Sequence, residues 1–283
     1  MQSLSGFRDI PVTSNAIIER EALKWTLDGG AELELNSIAE EVPLALVFNG
    51  EPFAVMMVSP SDLTDFVVGF SFTENLISDA GEIDGIEFTH SEKGITAYIS
   101  VSRTISDDLR KRKKNVVGRT GCGLCGEETL EGAIRVVSKV NAPESFKTEV
   151  IQRALQSLET LQTMNHEVGT LHGAAWSDRD GSISLVKEDV GRHNALDKLI
   201  GALLLNPEYA RQGFILITSR ASYEMVTKVA RANVGLLVAV SGPTSLAIKT
   251  AINSDVTLVG FARNGRQTIY SHKERILLEG DAL

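Results

Sequence analysis

Apolar and polar positions alternate in three different ways along this chain, and each way predicts a different kind of element. Between Pro43 and Val58, two apolar runs, Pro43–Phe48 and Pro52–Val58, meet at Asn49-Gly50. Asn-Gly suits a two-residue type I′ turn, where both central residues take positive φ, so the pattern predicts a hairpin. Ser59-Pro60 then reads as a helix start, with serine capping and proline in the first turn. Leu63, Phe66, Val67, Phe70, Leu76 and Ile77 follow at helical spacing. Strands near 85–89 and 95–101 complete a small ββαββ unit. Residues 1 to about 30 show little pattern and read as a loosely held arm.

The second half is more regular. It reads as a helix over 147–162, strands over 171–177 and 182–187 around the turn Asp178-Arg-Asp-Gly181, and a helix over 192–205. Strand, helix, strand and helix then follow at 214–218, 223–232, 236–240 and 244–251. A strand at 256–261 turns back through Asn264-Gly265 into 267–271. Short, almost wholly apolar strands alternating with helices predict parallel strands in a sheet buried on both faces. The expected class is α/β: an α+β unit over 1–105, a segment over 106–142, and a three-layer α/β unit over 143–283.

That middle segment interrupts both patterns. It contains Gly118-Arg-Thr-Gly-Cys122-Gly-Leu-Cys125-Gly126, with the chain's two cysteines. Each glycine disfavours a helix by about 1 kcal/mol against alanine, so a loop is expected. Arg119 and the run Arg110-Lys-Arg-Lys-Lys114 favour thiolate over thiol. Sulfur chemistry and metal binding both stay open here. One cysteine pair is half of an ordinary zinc set, and His90, His166, His172, His193 and His272 add no His-x3–5-His spacing. A zinc shared between subunits is the remaining metal reading.

Three strand-to-helix corners, 188–193, 218–223 and 241–245, are rich in small or hydroxyl residues. In open α/β sheets ligands sit beyond the carboxyl ends of strands, where free N–H groups attract anions. Arg192, Arg220, Arg263 and Arg266 add charge for a phosphorylated ligand. Any single corner reads first as an ordinary helix cap, and only the three together with the arginines shift the reading toward a ligand pocket. His193 is a proton carrier near this pocket, or a histidine satisfied by Asp189 or Asp197; His172 lies on a strand entering the core.

Composition narrows the classes. The 283 residues are 43% hydrophobic and 23% charged, with a formal net charge of -9. An acidic chain disfavours bulk nucleic-acid binding. No apolar run approaches a membrane span and Met1–Asn15 lacks a signal-peptide layout, so a cytoplasmic protein is expected.

Several blocks resemble one family: the cysteine block; Leu171-His-Gly-Ala-Ala-Trp176; Glu188-Asp-Val-Gly-Arg-His-Asn-Ala-Leu-Asp-Lys198; Ser219-Arg-Ala-Ser-Tyr-Glu-Met-Val226; and Pro243-Thr-Ser-Leu-Ala247. They are similar to those of the FdhD family, formate dehydrogenase accessory sulfurtransferases, from about residue 38 to 272. The resemblance implies a persulfide on Cys122, with Cys125 in support. It implies sulfur passing from a cysteine desulfurase to the molybdenum (or tungsten) bis-molybdopterin guanine dinucleotide cofactor of formate dehydrogenase. It places cofactor binding on Phe261, Ala262, Arg263, Asn264, Gly265 and Arg266. The corners add Arg192, His193, Ser219, Arg220, Thr244 and Ser245 to that set, and GDP serves as a surrogate ligand. It also implies a homodimer and a cytidine deaminase-like C-terminal fold. Deaminase chemistry is not expected, because His172 is followed by Gly173-Ala174 and lacks the His-x-Glu acid/base. The alternative is a zinc- or cofactor-binding chaperone that moves no sulfur.

Overall fold

The computed structural model describes residues 15–105, 137–142, 144–209 and 212–278. The chain opens with a hairpin, β1 (Ile17–Thr26) and β2 (Gly30–Ala39). A four-stranded sheet follows, built from β3 (Val42–Phe48), β4 (Glu51–Val58), β5 (Ile83–Ser91) and β6 (Gly94–Val101) in the order β4-β3-β6-β5. Helix α1 (Leu63–Thr73) connects its halves. Asn49 and Gly50 both have positive φ, as the hairpin turn demands. Leu44, Leu46, Phe48, Phe66, Val67 and Ile99 fill the core beneath it.

The C-terminal half comprises β7 (Phe146–Lys147), α2 (Thr148–Leu161), α3 (Thr163–Val168), β8 (His172–Asp178), β9 (Ile183–Asp189) and α4 (Arg192–Leu205). It continues with β10 (Gly213–Ile217), α5 (Tyr223–Arg231), β11 (Leu236–Ala239), α6 (Ser245–Asn253), β12 (Thr257–Arg263), β13 (Arg266–Ile269) and β14 (Ile276–Leu277). Six strands form one sheet in the order β13-β12-β11-β10-β8-β9. Strand alternation sends Ile215, Ile217 and Leu237 toward α4, α5 and α6. It sends Phe214, Leu216 and Val238 to the other face, with Ile151, Ala154 and Leu158 of α2. The result is the expected three-layer α/β arrangement.

Three expectations need correction. From Ile17 onward the expected arm is a hairpin, residues 1–14 lying outside the described residues: Leu23, Trp25, Leu33 and Leu35 alternate with polar residues around Asp28-Gly29-Gly30, and Gly30 takes positive φ. The sheet is mixed: β10, β11 and β12 are parallel, while β8, β9 and β13 pair antiparallel. Helix α1 begins at Leu63, with Asp62 in the cap position. Ser59 has another partner: its N–H donates to Asp189 Oδ2 at 3.0 Å, and its Oγ accepts from the Val190 N–H at 3.1 Å.

The two halves meet where α1 crosses α4. Cβ atoms added at Gly69 and Gly201 would lie 1.8 Å from the Asp197 carbonyl oxygen and 1.9 Å from that of Asp65. Only glycine permits this backbone-to-backbone approach, and residues 194–203 of α4 are all buried as a result. Two lysines are buried around the crossing. Lys198 Nζ lies 2.7 Å from Asp189, both side chains fully enclosed, and also donates to the Ser59 and Glu188 carbonyls. Lys228 Nζ donates to both Asp197 oxygens and to Thr73 Oγ1, each at 2.8 Å. Burial alone would pull the Lys228 pKa down; Asp197 and Glu74 overcome that and hold it above its ordinary value.

Removing one partner of such a pair strands the other charge in a low-dielectric site. Lys228→Met is therefore expected to lower unfolding free energy by about 3–5 kcal/mol in urea denaturation. Lys228→Met combined with Asp197→Leu should recover part of the loss, because Asp197 no longer strands a buried charge while Glu74 still loses its contact at 3.4 Å to Lys228.

Candidate functional site

The carboxyl ends of β10, β11 and β12 share one edge of the sheet, and the antiparallel β8 begins there. Thr218 binds the two sides of that edge: its Oγ1 accepts from the Gly173 N–H at 2.9 Å, and its own N–H donates to the Gly173 carbonyl at 3.0 Å. Ala221 bridges Pro243 between the next two corners. The Phe261 N–H donates to the Ser241 carbonyl at 3.1 Å. The corners are thus joined in a row. From β12 to β8 is three strand spacings, about 14 Å.

At the β12 end, Phe261 takes positive φ at an irregularity between Gly260 and Arg263. Its ring is half exposed and lies over Gly242, where a Cβ would come within 2.4 Å of it. Ala262 is buried, while Arg263, Asn264, Gly265 and Arg266 are exposed. Gln152 of α2 fixes this turn by accepting from the Gly265 N–H at 2.7 Å. Two guanidinium groups and an aromatic face are therefore presented from an anchored hairpin. Thr244 accepts from the Ala247 N–H and caps α6, and exposed Ser245 starts that helix. Ser219 is buried, with its hydroxyl donating to the Arg220 carbonyl, and Arg220 is exposed.

At the β8 end the Glu188-to-Lys198 block divides its labour. Glu188 accepts the Met164 and Asn165 N–H groups and caps α3. Asp189 accepts from Ser59, Gly191 and Asn194 besides pairing with Lys198. Arg192 and His193 are left on the first turn of α4, and both Arg192 Nε and His193 Nε2 are buried without a hydrogen-bond partner. Neither Asp189 nor Asp197 satisfies His193. Its Nε2 instead faces Glu224 Oε2 across 3.8 Å, a charge contact longer than a hydrogen bond. Ser222 Oγ donates to that same carboxylate at 2.8 Å. His172 is half-buried; burial, then the charge of Arg192, hold its pKa below the ordinary value.

Glu224 was not foreseen from the sequence. Its signal was Ser222-Tyr-Glu224 at the start of α5, an acid close enough to a capping serine to accept its proton. Cys122, Cys125, Arg119 and the basic run lie outside the described residues. A cavity of about 320 Å³ lies at the opposite, amino edge, lined by Trp176, Leu203, Asn233 and Glu144 among others. No lysine or arginine is among the residues that line it.

Fold and edge together define a class: an α/β protein whose strand ends gather arginines, an imidazole and helix N-termini at one edge. The comparisons narrow the class. Residues 39–277 match the model of the FdhD/NarQ family. The chain is 46% identical over 248 residues to the sulfur carrier protein FdhD of Cupriavidus necator, covering 88% of this chain and 86% of that one. It is 42% identical to the sulfur carrier protein FdhD of Xanthomonas campestris, over 96% of each chain. A crystal structure from Desulfotalea psychrophila, assigned as a formate dehydrogenase accessory protein, superposes with a TM-score of 0.73 at 25% identity. That alignment covers 93% of this chain and all of the other. The chain belongs to the FdhD/NarQ family.

Glu224 supplies a test of this geometry in acid. The His193 contact, then the Ser222 hydroxyl, depress its pKa from the ordinary 4.5 to about 2. A carboxylate with a lowered folded-state pKa stabilises the fold above pH 4.5 and loses that contribution as pH falls toward 2. The group is half open to water, so the contribution is discounted to on the order of 1–2 kcal/mol. Glu224→Gln should remove this acid-labile component from chemical denaturation curves between those pH values and leave the remaining pH dependence unchanged.

Proposed function

We propose that this chain is a sulfur carrier for the maturation of formate dehydrogenase. It receives sulfur on Cys122 from a cysteine desulfurase and delivers it to the molybdenum (or tungsten) bis-molybdopterin guanine dinucleotide cofactor. The observation that carries this reading is the pairing of two things on one chain. Relatives more than 40% identical bear the name sulfur carrier protein, and the carboxyl edge offers Arg192, His193, Arg220, Arg263 and Arg266 to a ligand rich in phosphate.

The chemistry balances. The Cys122 thiolate attacks the outer sulfur of the donor's persulfide, forming a new S–S bond and releasing the donor's cysteine thiolate. Release of that sulfur as hydrosulfide needs two electrons. Cys125 supplies them when its thiolate attacks Cys122 Sγ: hydrosulfide leaves and a Cys122–Cys125 disulfide forms, which an external thiol then reduces. The cations close in sequence, Arg119 and Arg110-Lys-Arg-Lys-Lys114, favour the thiolate form that this exchange needs.

The cofactor is the acceptor and enters as a substrate. The exposed arginines of the Asn264-Gly265 turn suit its phosphates, through bidentate charge-assisted hydrogen bonds. The half-exposed ring of Phe261 suits a purine face. Arg192 Nε, buried without a hydrogen-bond partner, is a donor for an acceptor at the far end of the same edge, next to the His193–Glu224 contact.

Incubation with a cysteine desulfurase and cysteine should add one sulfur atom to the peptide containing Cys122, read by mass spectrometry. Cys122→Ala should leave formate dehydrogenase inactive in cells; full activation would reject the carrier role. Arg266→Ala should weaken GDP binding about tenfold in calorimetry, the loss of one charge-assisted contact.

A further inference from the structure

The cavity at the amino edge of the sheet is built against the carboxyl ends of two helices. Leu203 and Leu204, from the last turn of α4, and Ala232, the residue that closes α5, all line it. Aligned peptide dipoles leave about half a negative charge at such an end. Neither helix offsets that charge. Helix α4 has no basic residue in its last turn. Helix α5 has Lys228 and Arg231 there, but both are committed elsewhere. Lys228 pairs with Asp197 and Glu74, and Arg231 donates to the Phe72 and Ile77 carbonyls of the N-terminal half. Glu144 adds a full negative charge, and it is the one charged group among the described residues that line the cavity. Arg179, outside that lining, donates to the Gln212 amide oxygen at 2.7 Å.

The rest of the wall is largely apolar. Trp176, Ile200, Leu203 and Val234 line it and are buried. Glycine at 213 is what leaves room for the indole, since a Cβ there would lie 2.7 Å from Trp176 Cζ2 and 2.9 Å from Cε2. Indole is the aromatic ring that attracts a cation most strongly. Its Nε1 is buried and has no hydrogen-bond partner, so this wall also lacks one acceptor. A volume of about 320 Å³ holds roughly ten non-hydrogen atoms, at the ~30 Å³ that one water takes in the liquid.

We propose that this cavity binds a small organic ammonium ion. Its body, about one ring in size, rests on Trp176, Ile200 and Leu203, and its charged head lies toward Glu144 and the two helix ends. The same charges oppose an anion. A bare divalent metal ion finds one carboxylate where it needs several oxygen ligands. A neutral molecule of the same shape gains nothing from the charge. Helices α4 and α5 thereby serve both edges, with amino ends beside Arg192, His193 and Glu224 and carboxyl ends at this cavity. The two places lie at opposite ends of the same helices, so the inference does not rest on the sulfur-carrier reading.

The probe is 2-phenylethylamine, protonated at neutral pH, with 2-phenylethanol and 3-phenylpropionate as its neutral and anionic counterparts. Calorimetry on the full chain should show one saturable site for the amine with a Kd below about 1 mM. The alcohol should bind about tenfold more weakly, the loss of one charge-assisted contact, and the carboxylate should not bind. In proton–nitrogen correlation spectra the amine should move the indole signal of Trp176 and leave that of Trp25, the two being assigned with Trp25→Phe. Glu144→Gln should bring the amine down to the affinity of the alcohol. Ala232→Phe, which fills the cavity, should abolish binding of both; should that variant not fold, Glu144→Gln decides alone. Absence of saturable amine binding overturns the proposal. Equal affinities for amine and alcohol overturn the assignment of charge. Amine binding that persists undiminished in Glu144→Gln, or that moves only the Trp25 signal, overturns the site.

Discussion

The contact between Gly69 and Gly201 sets the position of everything else. Two helices cross with their backbones touching, closer than any side chain allows. Helix α4 is therefore enclosed on both sides, by the C-terminal sheet and by α1. A helix so enclosed has no free face on which to put its polar residues, yet α4 carries Asn194, Asp197 and Lys198 in its buried stretch. The chain resolves this by pairing them. Asp189 and Lys198 neutralise each other, Asp197 meets Lys228, and Thr73 and Ser59 supply the remaining hydrogen bonds from the N-terminal half. Both ion pairs lie within the C-terminal half, and the contacts that Ser59, Thr73 and Glu74 make to them tie the N-terminal half to that buried charge and fix the register of the halves.

That register reaches the candidate site through α4 and α5. Arg192 and His193 sit on the first turn of the helix that the glycine crossing fixes. Glu224 lies one turn before Lys228 on the helix that Asp197 fixes. The His193–Glu224 contact is thus set by a buried ion pair between the same two helices. At the other end of the edge a separate device works: Gln152 on α2 holds the Asn264-Gly265 turn from the opposite face of the sheet. The two ends of the edge are built from different layers, and the parallel strands β10 to β12 hold them in line.

How much of this was legible depended on what each residue faces. Strands such as Phe214–Ile217 and Leu236–Ala239 are buried on both sides, so their composition alone announced them. The hairpin at Asn49-Gly50 declared its turn through positive φ. Residues 17–39 misled because their alternation points an apolar face outward, which is the reverse of the rule by which strands are read. Ser59 had the composition of a helix cap but is bound to Asp189, a residue 130 positions away. The antiparallel direction of β8 could not be read either, since an apolar strand looks alike in both senses. The arginines of the edge were legible one by one. Glu224 was not, because its importance comes from an imidazole on another helix.

Electrostatics explains why the buried and the available charges are so cleanly separated. The lysines Lys198 and Lys228, which share the interior with carboxylates, are fully compensated, and a ligand has nothing to gain from them. Arg192 and His193 lack hydrogen bonds at Nε and Nε2 although those atoms are out of water. A buried donor left unpaired costs about 1–3 kcal/mol; Arg192 Nε is one, and His193 Nε2 beside it meets only a carboxylate 3.8 Å away. Such a debt is tolerated where an acceptor arrives to settle it. An anionic ligand that spans the edge would recover that energy on binding, and a neutral one of the same shape would not.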